Sequence, residues 1–193
     1  MVLMLVLLLM SSLNSAAMDK NNIITETERL QIRRFTPDDT GALMAIFADK
    51  EVMKFSSVQK TFSFKEISDL INNKIIKDYQ IHGFGRYAVT KKADGALIGY
   101  AGLSKQKLDT EGEFVDLGYA FTKESWGKGY ATETAKAIVK YAQDTLKLPE
   151  LTSIVSSDNI PSQKVTAKSG FTFSKTFVLA GRLHHIYKIN FKQ

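Results

Sequence analysis

Apolar and polar positions alternate over Arg29–Phe35 (RLQIRRF), the pattern of a strand with one buried face. The period then changes. Thr36 and Pro37 read as the N-cap and first residue of a helix through TPDDTGALMAIFAD, with Asp38 and Asp39 complementing its dipole. A second helix opens at a capping box formed by Ser63 and Glu66. Phe64, Ile67, Leu70, Ile71, Ile75 and Tyr79 then fall on one helical face, which His82-Gly83 ends. RYAVTKKADGALIGYAGLSK reads as two strands around a turn at Asp94-Gly95, and EFVDLGYAFT as another strand. Ala131, Ala135, Ile138, Ala142 and Leu146 form the next helical stripe, stopped by Leu148-Pro149. LTSIVSS is a short strand. NIPSQKVTAKSGF is a short helix with Pro161 near its start and Gly170 as its C-cap, and FTFSKTF with LHHIYKINF is a closing antiparallel pair.

No repeat, low-complexity tract or Pro/Gly-rich linker divides this order of elements. It predicts one α/β (α+β) domain over residues 28–193, with helices flanking a mixed, mostly antiparallel sheet. Residues 1–17 stand apart from it. Their apolar run, Met1–Met10, carries no charge and is too short for a bilayer, which takes about 20 residues. It has the length of a signal-peptide core, and NSAA offers small residues for cleavage, but a positively charged leading segment is missing. A misassigned start ahead of Met18, an export signal and a membrane-surface anchor are the alternatives. The first implies a cytoplasmic protein and the second an exported one.

Composition narrows the chemistry. The 193 residues are 44% hydrophobic and 24% charged, ordinary for a soluble globular chain. No cysteine is present, which excludes disulfides, thiolate metal sites and a cysteine nucleophile. Three histidines, His82, His184 and His185, argue against a histidine-based metal site, so no metal is expected. The net charge of +6 favours anions, but the lysines are scattered and no aromatic-basic motif appears, so no stable nucleic-acid partner is expected.

The stretch KESWGKGYATETAKAIVKYA places Gly127 and Gly129 on either side of one lysine, immediately before a helix. Glycine tolerates φ > 0 and lets a ligand approach the backbone. Free N–H groups in a helix's first turn, at the positive end of its dipole, bind anions. Strand, Gly-Lys-Gly and helix together suggest a phosphate cradle; a plain flexible turn is the alternative. The P-loop spacing is absent, and the dinucleotide pattern wants a third glycine where Thr132 stands.

SWGKGYATE resembles the pyrophosphate-binding segment of the GNAT N-acetyltransferase superfamily, in the form typical of its RimJ/RimL-like branch. TERLQIRRFTPDD, VDLGYAF and NIPSQKVTAKSGF are similar to the same branch, in order over roughly Thr27–Phe191. The resemblance implies that Trp126, Gly127, Lys128, Gly129, Tyr130, Ala131 and Thr132 hold the pyrophosphate of acetyl-CoA. It implies that the strands of Tyr119 and Ile154 splay apart to admit the pantetheine arm. Amides across Gly118, Tyr119 and Ala120 then face the thioester carbonyl. Asn159 and Ser162 match the family's cofactor-contacting Asn-x-x-Ser. Lys164 and Lys168 are either near the nucleotide phosphates or on a solvated helix face.

Aspartate is depleted in strands, yet Asp116 lies between Val115 and Leu117, on the face of Gly118 and Ala120. That makes it a candidate base, direct or through water, the alternative being a solvent-facing or lysine-paired carboxylate. Glu113 is the reserve, and Glu133 reads as a capping and dipole residue. Many members of the family protonate the CoA thiolate with a tyrosine on the late helix; Thr166 stands there, and Ser162 is the substitute the branch suggests. Tyr187 reads as core or as a further donor. His184 occupies a position where the branch commonly has Asp, so substrate contacts do not carry over.

The acceptor that the resemblance implies is an amine. An α-amine with a pKa of about 8 costs about 1.4 kcal/mol to deprotonate at pH 7, against about 4.6 for a lysine near 10.4. One aspartate suits the first better, which with the branch resemblance favours the N-terminus of a ribosomal or other protein. A small amine or antibiotic, or a non-catalytic CoA-binding module, are the alternatives. The protein is expected to be a monomer or homodimer.

Overall fold

The computed structural model describes residues 22–56, 60–109 and 111–191, so the expected extension at residues 1–17 lies outside the described residues. The strands are β1 Ile23–Glu26, β2 Leu30–Arg33, β3 Arg86–Lys91, β4 Leu97–Leu108, β5 Gly112–Phe121, β6 Glu150–Ser156, β7 Thr172–Leu179 and β8 Arg182–Asn190. They form one sheet in the order β1-β2-β3-β4-β5-β6-β8-β7. Every neighbouring pair is antiparallel except β5–β6. This is the mixed, mostly antiparallel sheet that the pattern predicts. The strand predicted at Arg29–Phe35 forms as β2, and a further strand, β1, pairs with it from upstream at Ile23–Glu26; IITE is too short for its alternation to be read.

A 3-10 turn, Pro37–Asp39, leads into α1, Thr40–Ala48, and then α2, Lys50–Met53. Asp39 does more than complement a dipole. It is buried, accepts from Arg33 Nη1 and Nη2 at 2.7 Å each, and also accepts the Thr36 amide at 2.9 Å. The next helix comprises α3, Phe64–Leu70, a π turn at Ile71–Ile75, and α4, Ile76–His82. Its buried stripe, Ile67, Ile71, Ile75 and Tyr79, is spaced by four. That spacing overshoots the 3.6-residue period and would drift around a straight α-helix, and the wider π turn takes up the drift. Phe64, expected on this face, is instead 58% exposed, ahead of the correction.

Two longer elements complete the fold, α5 Tyr130–Asp144 and α6 Ile160–Lys168. Phe47 of α1 stacks on Tyr100, whereas Tyr141 of α5 meets Tyr87 edge-on. Tyr87 pairs with Ala101, so Tyr100 lies on the other face and the two helices cover opposite sides of the sheet. Leu30, Ile32, Tyr87, Leu103, Ile138, Leu151 and Ile186 are completely buried between these layers. Each such aliphatic side chain contributes about 1.5–3 kcal/mol. No helix among the described residues is long and apolar enough to cross a membrane.

Candidate active site

β5 and β6 share one ladder position, Asp116 opposite Thr152, and then part. The parity of the β4–β5 ladder decides what the freed edge of β5 presents. Its register is unbroken from Gly99–Phe121 to Leu108–Gly112, and the Thr122 amide donates to Ile98 O at 2.9 Å. Hydrogen-bonded pairs alternate along an antiparallel ladder. Gly118 and Ala120 therefore direct their backbone groups to β4, whereas Leu117, Tyr119 and Phe121 turn theirs toward the gap. Leu117 O accepts from Ser153 Oγ at 3.1 Å across it. Of the amides expected over Gly118–Ala120, the ladder leaves that of Tyr119 facing the gap.

Beyond β5 the chain makes a 3-10 turn at Lys123–Ser125, and Trp126 Nε1 donates back to Phe121 O at 2.9 Å. Gly127 (φ 73°) and Gly129 (φ 81°) are both left-handed, a conformation that disfavours any side chain. A Cβ on Gly127 would meet nothing within 4 Å, and one on Gly129 only Arg29 Nη2 at 3.5 Å. The glycines therefore answer to backbone conformation, and open space lies beside them. Gly129 O accepts the Glu133 amide at 3.0 Å, the first intrahelical bond of α5. The amides of Tyr130, Ala131 and Thr132 precede that bond, at the positive end of the dipole.

Glu133 holds this helix end to the β1–β2 turn. It accepts from Thr27 Oγ1 at 2.5 Å and from the Arg29 amide and Nε at 3.2 and 2.7 Å, while Arg29 Nη1 donates to Lys128 O at 3.0 Å. Burial pushes the Glu133 carboxyl up, but the Thr27 and Arg29 hydrogen bonds outweigh it and hold the group below the usual glutamate range. Its main work is thus a long-range clamp rather than capping. Its partners lie more than a hundred residues upstream, where no local pattern reveals them.

Two cavities meet at the gap. The first, about 420 Å³, is lined by Trp126, Gly127, Gly129, Tyr130, Ala131 and Thr132 and by Lys164 and Lys168 of α6, which stand exposed at its wall. The second, about 280 Å³, is lined by Arg86, Tyr100, Asp116, Gly118 and Ser153–Ser156 among others. Val52, Phe55, Tyr119, Ala120, Asn159 and Ser162 line both. The structure thus gathers nearly all of the residues expected to hold the cofactor. Lys128 lines neither cavity; its carbonyl is the one that Arg29 binds.

Asp116 is 9% exposed, and both of its oxygens are engaged. Oδ2 accepts from Arg86 Nη2 at 2.9 Å and Oδ1 from the Ile154 amide at 3.2 Å, so a side chain takes over where the backbone ladder stops. Its partner is an arginine, not the lysine or solvent of the alternative reading. Arg86 also donates to Gly102 O (2.6 Å), Gly118 O (2.8 Å) and Ser104 Oγ (3.0 Å). A Cβ on Gly118 would lie 2.7 Å from Arg86 Nη1, so glycine here admits the guanidinium. Sequence reading missed Arg86. The available signal was register: Arg86, Gly102 and Gly118 lie directly across three strands, with Ser104 opposite Asp116. Glu113 is exposed and lines neither cavity. Ser156 Oγ is buried without a hydrogen-bond partner on the wall of the second cavity.

Asn159 caps α6 by accepting the Ser162 amide at 3.1 Å. Ser162 Oγ accepts from the Tyr119 hydroxyl at 3.1 Å. Burial pushes the Tyr119 phenol up, against the opposing effect of Ser162 and of the neighbouring, buried Thr166. Tyr187 is core, its hydroxyl donating to Gln163 Oε1 at 3.4 Å, and His184 is buried with Nδ1 3.0 Å from Arg182 O. Neither lines a cavity.

Comparison with known proteins agrees with this geometry. The uncharacterized N-acetyltransferase p20 of Bacillus licheniformis is 27% identical over 168 residues, covering 83% of this chain and 91% of its own. A GNAT-family acetyltransferase of Bacillus anthracis superposes with a TM-score of 0.72 at 23% identity, covering 86% of this chain and 96% of its own. RimL, a ribosomal L7/L12 alpha-N-protein acetyltransferase solved with coenzyme A, gives 0.73 at 16% identity, covering 87% and 97%. A ribosomal-protein-S5-alanine acetyltransferase of Vibrio fischeri gives 0.71 at 16%, covering 86% and 95%. The family description "Acetyltransferase (GNAT) domain" matches residues 29–172, and the chain accordingly belongs to the GNAT N-acetyltransferases, acyltransferases that depend on acetyl-CoA.

Proposed function

We propose that the chain acetylates the α-amine of a protein N-terminus, ribosomal or other, by direct attack in a ternary complex, as a RimJ/RimL-like member of its family. The observation that carries this is the gap between β5 and β6, which joins the cavity at the glycine loop to a second, smaller one. The residues present fit acetyl-CoA. The left-handed Gly127 and Gly129 leave open space, and the Tyr130, Ala131 and Thr132 amides with the helix dipole suit a pyrophosphate. Bound there, acetyl-CoA supplies the thioester carbon that an amine attacks.

The chain's own groups then divide the work. The Tyr119 amide, turned toward the gap, stabilises negative charge on the carbonyl oxygen. Asp116 is the one acidic side chain on the wall of the second cavity among the described residues. Held by Arg86 and the Ile154 amide, it takes the ammonium proton through water on its cavity side. An α-amine, about a tenth neutral at pH 7, asks little of such a base. With that carboxylate paired to Arg86, the wall offers no second negative charge for a polycation. About 280 Å³ suits the end of a chain, its terminal residue inside and the rest leading out.

RimL and the S5-alanine enzyme are named for ribosomal proteins, which supports this acceptor. The second reading, a small-molecule amine, draws on an Aspergillus fumigatus relative, 26% identical over 156 residues, named FsC-acetyl coenzyme A-N(2)-transacetylase. We infer a cytoplasmic location as part of the same reading, since acetyl-CoA is a cytoplasmic metabolite. The deciding experiment is free-thiol release from acetyl-CoA with peptides bearing a free α-amine, the same peptides blocked at that amine but carrying lysine, and spermidine. Turnover should follow the free α-amine. Turnover confined to spermidine or other small amines would overturn the proposed acceptor.

A further inference from the structure

We propose that Tyr119 stands behind Ser162, the donor that the resemblance implies, as the proton source of a hydroxyl relay to the departing thioester sulfur, an inference that rests on the acetyltransferase reading above. The two cavities meet at a seam, and a thioester reaching from the loop toward an acceptor must lie there. Among the described residues, Tyr119 and Ser162 are the only hydroxyl-bearing residues that line both cavities. They come from different elements, β5 and α6, yet their oxygens are 3.1 Å apart, with the phenol donating to Ser162 Oγ. Ser162 is held in place because Asn159 Oδ1 accepts its amide at 3.1 Å. With its oxygen accepting from the phenol, the Ser162 hydroxyl hydrogen is free to point into the seam.

The chemistry needs both partners. A lone serine is a poor acid, whereas a phenol, even with burial pushing that of Tyr119 up, is a much stronger one. Burial keeps the Tyr119 phenol protonated at neutral pH, so it is a reservoir that is full before each turnover. As the carbon–sulfur bond breaks, Ser162 gives its hydroxyl proton to sulfur and takes the Tyr119 proton in its place. The proton lost by the acceptor nitrogen as the amide forms returns to the phenolate through water. Asp116 passes the first ammonium proton to bulk water, so every group ends the cycle as it began and no further reagent is needed. Tyr119 acts through Ser162 and is thus a positioning and proton-supplying residue.

Three measurements test the relay. Tyr119→Phe removes the reservoir and should lower kcat about tenfold, and Ser162→Ala about a hundredfold, with the double variant no slower than Ser162→Ala alone. The solvent deuterium isotope effect on kcat should shrink in Tyr119→Phe. The third readout needs no turnover: calorimetry at alkaline pH of coenzyme A against desulfo-coenzyme A, which lacks the sulfur. Wild type should favour the thiolate-bearing ligand, and Tyr119→Phe should narrow that preference severalfold while binding desulfo-coenzyme A as before. Wild-type kcat in Tyr119→Phe, multiplicative losses in the double variant, or an unchanged ligand preference would each overturn the relay alone. A wild-type protein that releases no thiol with any amine, although folded, would overturn the acetyltransferase reading and the relay with it.

Discussion

Replacing Asp116 by Asn separates the structural work of this residue from its chemical work. The amide oxygen of Asn can still accept from Ile154, but its NH₂ then faces the Arg86 guanidinium, donor against donor. Arg86 Nη2 keeps only Ser104 Oγ. The side chains of Arg86 and Asp116 are 22% and 13% exposed, so water replaces the lost partner poorly. Losing one charge-assisted hydrogen bond and stranding part of a guanidinium costs about 2–3 kcal/mol. For a chain of this size, about 2–4 °C of melting temperature accompanies each kcal/mol. Asp116→Asn should therefore melt about 4–12 °C lower by calorimetry or circular dichroism. Its kcat should fall while acetyl-CoA affinity stays nearly intact. The deficit should shrink as pH rises, because more amine then arrives already neutral. An unchanged melting temperature would refute the network, and a full kcat with the wild-type pH profile would rule out the base.

Two further outcomes follow from residues around the loop and the gap. Gly118→Ala places a Cβ 2.7 Å from Arg86 Nη1 and should cost about 1–3 kcal/mol in urea denaturation; an unshifted midpoint would show that the guanidinium relocates freely. Glu133→Gln should lower the melting temperature by a few degrees at pH 7 and weaken acetyl-CoA binding. Because the folded Glu133 carboxyl lies below its ordinary value of 4.5, its stabilisation is complete above that pH and is lost as pH falls through the lower folded value. The gap between wild type and Glu133→Gln should close over that acidic window; a gap that persists would mean the Thr27–Arg29–Glu133 clamp is not charge-dependent.

What the sequence made legible was local. The capping box at Ser63, the Asp94-Gly95 turn and the paired loop glycines each report on a few neighbouring residues, and each sits where its local chemistry requires. What stayed hidden depends on pairs distant in the chain. Arg86 meets Asp116 only once the β3–β4–β5 register is known, and Glu133 meets Thr27 and Arg29 only once α5 packs against the β1–β2 turn. The π turn at Ile71–Ile75 was hidden for another reason, since spacing by four fits an α-helix over any single turn and fails only when summed over twelve residues. Asp116 shows both limits at once: an aspartate inside a strand signals its importance, but only the fold shows what binds it.

Calorimetric titration of wild type beside Gly129→Val asks whether the glycine loop is the seat of acetyl-CoA. Gly129 has φ 81°, and a Cβ there would find no protein atom nearer than 3.5 Å. Valine should therefore strain the loop locally and intrude on the ligand's approach while the sheet stays folded by circular dichroism. Losing even two charge-assisted hydrogen bonds to the pyrophosphate, at about 1.5–3 kcal/mol each, should weaken binding at least a hundredfold. A folded Gly129→Val that binds acetyl-CoA as tightly as wild type would contradict the account and leave the loop as a turn alone.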